Sequence, residues 1–386
     1  MKKLFFIAAL AGAALVSCTK NEVAPVVAEQ SEITFMPVVG NVTKAPVAGE
    51  LGEDYSDAES FIVNAWYQAD NVSATFDPTK DVSVYMNKVT AKFKSGNVDN
   101  VSSGEAGAWF PYNGDYVSYF WPKNGHLTFS AYSPAETSGT TAFDQTSGLT
   151  ITDFSVQSDI TKQYDLLFSD RTYAKKSSTA TSASSSKYDG VDIKFNHALS
   201  SIVVKAKTAA NYGTNAITIK DVKFINVYSK GTFKENLTTG TETESNSAKW
   251  VAQSTETEYD LYAPTTNISL TETYQELNTS GATNPDCILL PQPFNHTATS
   301  NQVTLVVNYT IKNGDGTSID QVATFPLHAK AYEGDLNSDD DTDDAGEDAI
   351  TSWEMGKRYT YNLTFTLETV YFAPKVDVWT PVGFII

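Results

Sequence analysis

The densest group of side chains that could bind a ligand is acidic and lies in residues 333–348, EGDLNSDDDTDDAGED. Three of its residues have the spacing of the first ligands in a calcium-binding loop: Asp335, Asn337 and Asp339. Such a loop needs glycine at its sixth position and a carboxylate at its twelfth, where this sequence has Asp340 and Gly346. The segment is therefore typical of a solvated acidic loop rather than an EF-hand, with opportunistic binding of divalent cations as the alternative.

Side chains that could act in catalysis or bind a transition metal are few and scattered. No histidine has metal-ligand spacing to another histidine or a cysteine among His126, His197, His296 and His328. Cys287 lies in an apolar run, where a buried and inert thiol is expected. No G-x-S-x-G, P-loop or dinucleotide-binding motif occurs. We therefore predict that the protein is not an enzyme and has no cofactor and no metal centre. The alternative is a hydrolase that uses two carboxylates brought close together by folding.

The second cysteine, Cys18, follows a stretch that predicts covalent modification. Two lysines precede residues 4–16, an apolar run too short to span a bilayer. The run ends in Leu15-Val16-Ser17-Cys18, which resembles the lipobox of bacterial lipoproteins. That resemblance implies that residues 1–17 are a signal peptide and that Cys18 is acylated. A plain secretory signal with an accidental cysteine is the alternative.

Charge and hydropathy limit the partners of the mature chain. Removal of the two N-terminal lysines changes the formal net charge from −19 to −21, which argues against binding nucleic acid. Residues 18–30 have no hydrophobic period, and no later segment is long and apolar enough to cross a membrane. We expect a folded body on a flexible, lipid-anchored tether.

A protease site is predicted behind the first apolar segment. Residues 33–39 alternate in the manner of a strand, and Pro37 favours a sheet edge or a strand end. In the polar loop that follows, Lys44 precedes Ala45, and a trypsin-like protease could cut between them. An ordinary first strand followed by an ordinary loop is the alternative.

Two aromatic runs could form a surface that stacks on sugars. They are Trp109-Phe110-Pro111-Tyr112 and Tyr119-Phe120-Trp121-Pro122. Aromatic residues of strands more often fill a core, so we predict a core role, with a lipid-anchored surface glycan-binding protein as the rival function.

The elements that would position these residues are β-strands. Apolar and polar residues alternate in residues 82–87, 127–132, 191–196, 202–206, 303–312 and 359–368, and residues 61–67 and 324–329 are also interpreted as strands. No long amphipathic helix is evident. Many short strands with one apolar and one polar face, separated by polar turns, predict an all-β protein built from β-sandwiches.

The chain length and one low-complexity segment predict two domains. Residues 176–189 contain SSTATSASSS and are interpreted as a linker between one β-sandwich at residues 31–175 and another at residues 190–386. A long hairpin loop inside one domain is the alternative. Residues 370–386 are strand-like and apolar, so they either close their own sheet or pair with another chain.

Several stretches together resemble the fimbrillin family of the Bacteroidetes, the subunits of type V pili. They are Ile33-Thr34-Phe35 with Thr43-Lys44-Ala45; Tyr119-Phe120-Trp121-Pro122 with residues 127–134 (LTFSAYSP); residues 164–167 (YDLL); residues 191–200 (VDIKFNHALS); and residues 356–363 (GKRYTYNL) before Val378-Trp379-Thr380-Pro381. Their order spans nearly the whole mature chain. The resemblance implies two tandem transthyretin-like β-sandwich domains and export to the outer membrane as a lipoprotein.

The same resemblance implies assembly by strand exchange. An outer-membrane-associated trypsin-like protease would remove the first strand by cutting after Lys44, and a C-terminal segment of another subunit would refill the groove. The candidate inserting residues are Val376, Val378 and Trp379. We expect a subunit of a surface fimbria that acts in adhesion to a host or bacterial surface, and a strand-like tail favours stalk over tip.

Overall fold

The computed structural model describes residues 32–39, 60–95, 107–175, 190–213, 216–235, 249–262, 267–278, 286–327 and 350–379. The predictions for Cys18, Lys44, Ala45, residues 176–189 and residues 333–348 lie outside these ranges. Within them the regular structure is β apart from 3-10 conformation at Ile160–Lys162 and at residue 249, so the predicted all-β class is confirmed. No helix in the described ranges has the length and apolar content needed to cross a membrane.

The described residues form twenty strands. In chain order these are β1 Phe35–Val39, β2 Ser60–Gln68, β3 Ser83–Ser95, β4 Gly107–Tyr112, β5 His126–Ser133, β6 Thr140–Asp144, β7 Gly148–Ser155, β8 Leu167–Ser169, β9 Thr172–Ala174, β10 Val191–His197, β11 Ser200–Thr208, β12 Ile217–Lys234, β13 Trp250–Tyr262, β14 Ile268–Ser269, β15 Gln275–Glu276, β16 Cys287–Leu289, β17 Thr304–Lys312, β18 Ser318–Pro326, β19 Lys357–Phe365 and β20 Val370–Val378.

Seven strands of the first sheet pair in a closed ring. Their order is β2-β3-β4-β1-β10-β8-β5, and pairing of β5 with β2 closes the ring, while β9 pairs with β5 beside β8. Side chains of a strand alternate between its two faces, so Phe61, Val63 and Ala65 of β2 all point into the ring and are buried. They pack with Phe35 and Phe195 in one hydrophobic cluster.

The remaining strands form two sheets that pack face to face. One has the order β18-β17-β12-β7-β6, with β13 and β14 also on β12; the other has the order β15-β11-β19-β20, with β16 also on β11. The ring of Phe224 on β12 lies 6.0 Å from that of Tyr361 on β19, and Tyr309 on β17 lies 5.0 Å from Phe365. Both pairs belong to a second hydrophobic cluster, which fills a β-sandwich.

Strand pairing crosses the predicted boundary in both directions. β10 follows residues 176–189 but belongs to the ring. β6 and β7 precede them but join the seven-stranded sheet, because β7 pairs with β12. Alternating hydrophobicity identifies a strand without identifying its partner, so the sequence did not indicate these exchanges. The division of the chain into two domains at this segment stays a prediction.

A buried ion pair links the ring to the seven-stranded sheet. Arg171, between β8 and β9, has its Nε 3.6 Å from Oε1 of Glu235, which directly follows β12. Ser130 Oγ and the Leu149 N–H donate to Oε2 of Glu235 at 3.0 and 2.8 Å. Burial raises the pKa of the Glu235 carboxyl and lowers the pKa of the Arg171 guanidinium, so desolvation outweighs attraction for both groups.

Candidate strand-exchange site

β1 occupies the position in the ring between β4 and β10. It runs parallel to β10 through five residue pairs, from Phe35↔Val191 to Val39↔Phe195, and pairs with β4 only at Phe35↔Trp109. In the described pairing, Pro37 has a partner on β10 only, Ile193, although β1 as a whole lies between β4 and β10. Pro37 lies two residues beyond the β4 pair, so its missing N–H breaks no described bond to β4.

Side chains at the start of this segment fill the interior of the ring. Ile33 is buried, and its N–H donates to the Tyr119 carbonyl at 2.7 Å. Phe35 is 2% exposed and meets the rings of Phe61 and Phe129 edge-on, with centroids 5.8 and 6.0 Å away. Loss of this strand would open the ring between β4 and β10 and empty the space between those aromatic rings.

Gly190 permits the close approach of β1 to β10. Its φ is +87°, and a Cβ built there would lie 2.8 Å from the carbonyl carbon of Phe35 and 3.0 Å from its Cα. A side chain at this position would therefore press on the backbone of β1 rather than on a movable side chain.

The substitution Gly190→Ala is expected to lower the free energy of unfolding by about 3 kcal/mol, because strain from positive φ and displacement of β1 add together. The matched control is Gly316→Ala, with φ +89° and no atom within 4 Å of its built Cβ. That control is expected to cost about 1–2 kcal/mol. Urea denaturation measures the free energy of unfolding of both variants. Equal losses would mean that β1 can move away from the new side chain without loss of stability.

The two halves of the edge strand β20 differ in packing. In the first half, Phe372 stacks on Tyr361 and Phe325 with centroids 5.4 and 5.1 Å away. In the second half, the predicted donor residues Val376 and Val378 are 36% and 66% exposed. The first half of the strand is thus packed in its own sandwich, while the second half, the tip of β20, presents apolar side chains at the edge of the sheet that the described strands form.

The third predicted donor residue, Trp379, is buried in its own subunit. Its N–H donates to the Gly356 carbonyl at 2.9 Å, and its indole stacks on the imidazole of His197 at 4.0 Å and 16°. His197 Nδ1 lies 2.6 Å from Oδ2 of Asp165. Burial raises the pKa of the Asp165 carboxyl, although the imidazole favours its charged form. The donor role of the three residues stays a prediction.

Several residues of the other candidate sites are buried in the hydrophobic interior. Three of the aromatic residues considered for sugar stacking are buried: Trp109, Phe110 and Trp121. Cys287 is buried as expected, and burial raises the pKa of its thiol. Across the described ranges, no group of three or more histidine, cysteine, aspartate or glutamate residues is placed to hold a metal ion.

Sequence reasoning missed Gly190 and the contact between Asp165 and His197. A glycine directly before a strand can mark a close backbone approach, so Gly190 had a weak signal. Asp165 and His197 lie 32 residues apart on different segments, and their spacing gives no indication that they meet.

Comparison with known proteins agrees with this architecture. The profile of a fimbrillin-like family matches residues 69–379, whereas no curated protein matches the sequence. A fimbrial protein from Bacteroides vulgatus is similar in fold, with a TM-score of 0.53 at 17% identity over 83% of this chain and 93% of that one. A fimbrilin from Porphyromonas gingivalis gives a TM-score of 0.40 at 13% identity over 92% and 99% of the two chains. Because the family match covers most of its length, the chain belongs to the fimbrillin-like family.

Proposed function

We propose that the chain is a structural subunit of a cell-surface fimbria with a role in adhesion, and that it polymerises by strand replacement. A trypsin-like surface protease cuts after Lys44, β1 leaves, and the C-terminal segment of another subunit takes its place. The observation that carries the proposal is the position of β1, a short first strand that closes the ring between β4 and β10.

The energetics of the open ring support replacement. Without β1, β10 loses five residue pairs, and each buried backbone group left without a partner costs about 1–3 kcal/mol. An extended segment from another subunit can restore the ladder and fill the space left by Ile33 and Phe35. Such a contact joins different surfaces of successive subunits and does not close on itself, so it generates a fibre.

The exposed tip of β20 supports the C-terminal segment as the donor. The side chains of Val376 and Val378 are exposed before any exchange, although both residues pair with β19 in their own subunit. The sequence continues past Trp379 with the mostly apolar residues 381–386, PVGFII. A donor tail suits a stalk subunit, since a tip subunit needs none. In this proposal the acylated Cys18 holds the precursor at the outer membrane until cleavage releases it.

Trypsin treatment of the lipid-free precursor tests the proposal. We expect a product that begins at Ala45 and forms fibres visible by electron microscopy. The Lys44→Gln chain should remain uncut at this position and stay monomeric under the same conditions. The proposal fails if no product begins at Ala45, or if that product remains monomeric.

Charge at the tip of β20 is expected to block assembly without harming the monomer. In the double variant Val376→Asp/Val378→Asp, stability should change by no more than about 0.5 kcal/mol per site, because both side chains are exposed. Fibre formation after cleavage should fall at least tenfold (roughly 1.4 kcal/mol), because a carboxylate would enter an apolar slot. The control is Ile319→Asp/Val322→Asp on β18, at 49% and 62% exposure. Equal fibre yields from both double variants would exclude the tail as donor.

A further inference from the structure

Trp379 is held at the connection between the ring and the sandwich. β10 belongs to the ring and β11 to the five-stranded sheet, and only Ala198 and Leu199 separate them. On the ring side of this connection, the last residue of β10, His197, stacks on the Trp379 indole. On the sandwich side, Gly356 donates to the Leu199 carbonyl and accepts from the Trp379 N–H, both at 2.9 Å.

The described contacts that hold His197 beneath Trp379 do not include β1. Pairing of β1 with β10 ends at Phe195, whereas His197 pairs with Leu167 of β8. The next residue, Ala198, donates its N–H to the Leu166 carbonyl at 2.8 Å, and the imidazole is fixed by the buried Asp165. These contacts all come from the segment around β8, so they would remain after β1 is lost.

We infer that the stack of Trp379 on His197 is a latch that fixes the end of the C-terminal segment, next to the nine residue pairs of β20 with β19, and that it opens independently of the removal of β1. The inference rests on the proposed function, in which this segment is the donor. A cut subunit with a closed latch has an open slot but no free donor. Slot and donor therefore become available in two separate steps. The second step opens the latch and separates the tip of β20 from β19, and it controls when the tail engages a neighbour.

The variant His197→Gln tests the latch in the uncut, lipid-free chain, because it removes the ring and keeps an amide that can bond to Asp165. The matched control is His296→Gln. His296 is also buried, has its Nδ1 3.0 Å from Glu256 Oε1, and stacks on Tyr228 at 3.7 Å and 10°. Hydrogen–deuterium exchange of residues 376–379 is expected to be about tenfold faster in His197→Gln and unchanged in His296→Gln.

The wild-type chain supplies the second measurement. Removal of β1 by trypsin, at a concentration where light scattering detects no fibres, should leave exchange of residues 376–379 unchanged. If His197→Gln does not fold, Trp379→Leu keeps an apolar side chain without the aromatic stack and should show the same faster exchange.

Two results would overturn the latch: wild-type exchange rates in the folded variant, or loss of tail protection on cleavage alone. Faster exchange in the uncut variant followed by no fibres after cleavage would retain the latch and reject the proposed function instead. The exchange measurement on the uncut monomer keeps these two failures distinct.

Discussion

Replacing Phe35 by alanine is expected to lower the free energy of unfolding of the uncut chain by about 3–5 kcal/mol. The side chain is almost fully buried between Phe61 and Phe129, and its residue is the one place where β1 pairs with both neighbouring strands. The cavity left by truncation would thus weaken the closure of the ring as well as its core. Urea denaturation of the uncut, lipid-free chain measures the loss.

The matched control is Phe129→Ala, which removes an equally buried ring of the same cluster from β5, a strand that stays after cleavage. In the uncut chain both variants should lose comparable stability. After cleavage, Phe35→Ala and wild type should become indistinguishable, whereas Phe129→Ala should remain destabilised. A loss below about 1 kcal/mol for Phe35→Ala would show that β1 is dispensable for the ring.

The second large effect is expected at the ion pair between the ring and the seven-stranded sheet. Arg171→Met should lower the free energy of unfolding by about 3–5 kcal/mol at pH 7, because it leaves the Glu235 carboxylate buried without its counter-charge. It also removes donors to the Gln145 and Asp144 carbonyls, at 2.8 and 3.1 Å. Chemical denaturation at several pH values measures this effect together with its pH dependence.

Glu235→Gln is the informative partner variant. The pKa of Glu235 is raised in the folded chain, so the folded state retains a proton that the unfolded state loses at a lower pH. The contribution of Glu235 to stability therefore falls as pH rises from the unfolded pKa to the folded pKa, and is constant above it. Glutamine should abolish this slope, and at pH 7 it should cost less stability than Arg171→Met, because the Arg171 guanidinium keeps its bonds to the Gln145 and Asp144 carbonyls. Equal damage from Arg171→Met and Glu235→Gln would contradict this account.

Strands were predictable where polarity alternates clearly. Val191, Ile193 and Phe195 of β10 are buried, as the alternating pattern indicated. Strand ends were less accurate. β19 ends at Phe365 rather than residue 368, because Thr366 Oγ1 accepts from the N–H groups of Glu368 and Thr369 and turns the chain.

One strand start was predicted too late because its pattern is weak. β18 begins at Ser318, whereas the sequence is interpreted as a strand only at residues 324–329. Its first residues lie on an open sheet edge and are mostly exposed, so no inward face distinguishes them in the sequence.

The pairing partners of the strands could not be predicted from the sequence. Periodicity gives each strand an inward face, but the closure of the ring depends on which strands become neighbours. For that reason Pro37 favours an edge or a strand end, whereas the sequence does not show that β1 lies between β4 and β10. Burial is likewise hard to predict at the end of β20. Val378 and Trp379 are adjacent and both apolar, yet Val378 is exposed and Trp379 is buried.

The direction in which β1 runs has a consequence for growth. A replacement segment restores the same hydrogen bonds only if it also runs parallel to β10, since parallel and antiparallel ladders place their bonds differently. In the proposed assembly, this requirement would give every added subunit the same orientation about the slot. Because slot and tail lie on different surfaces, the filament would have polarity: one extremity would offer an unfilled slot and the other an unused tail. Elongation by seeded filaments with one labelled extremity would accordingly be asymmetric.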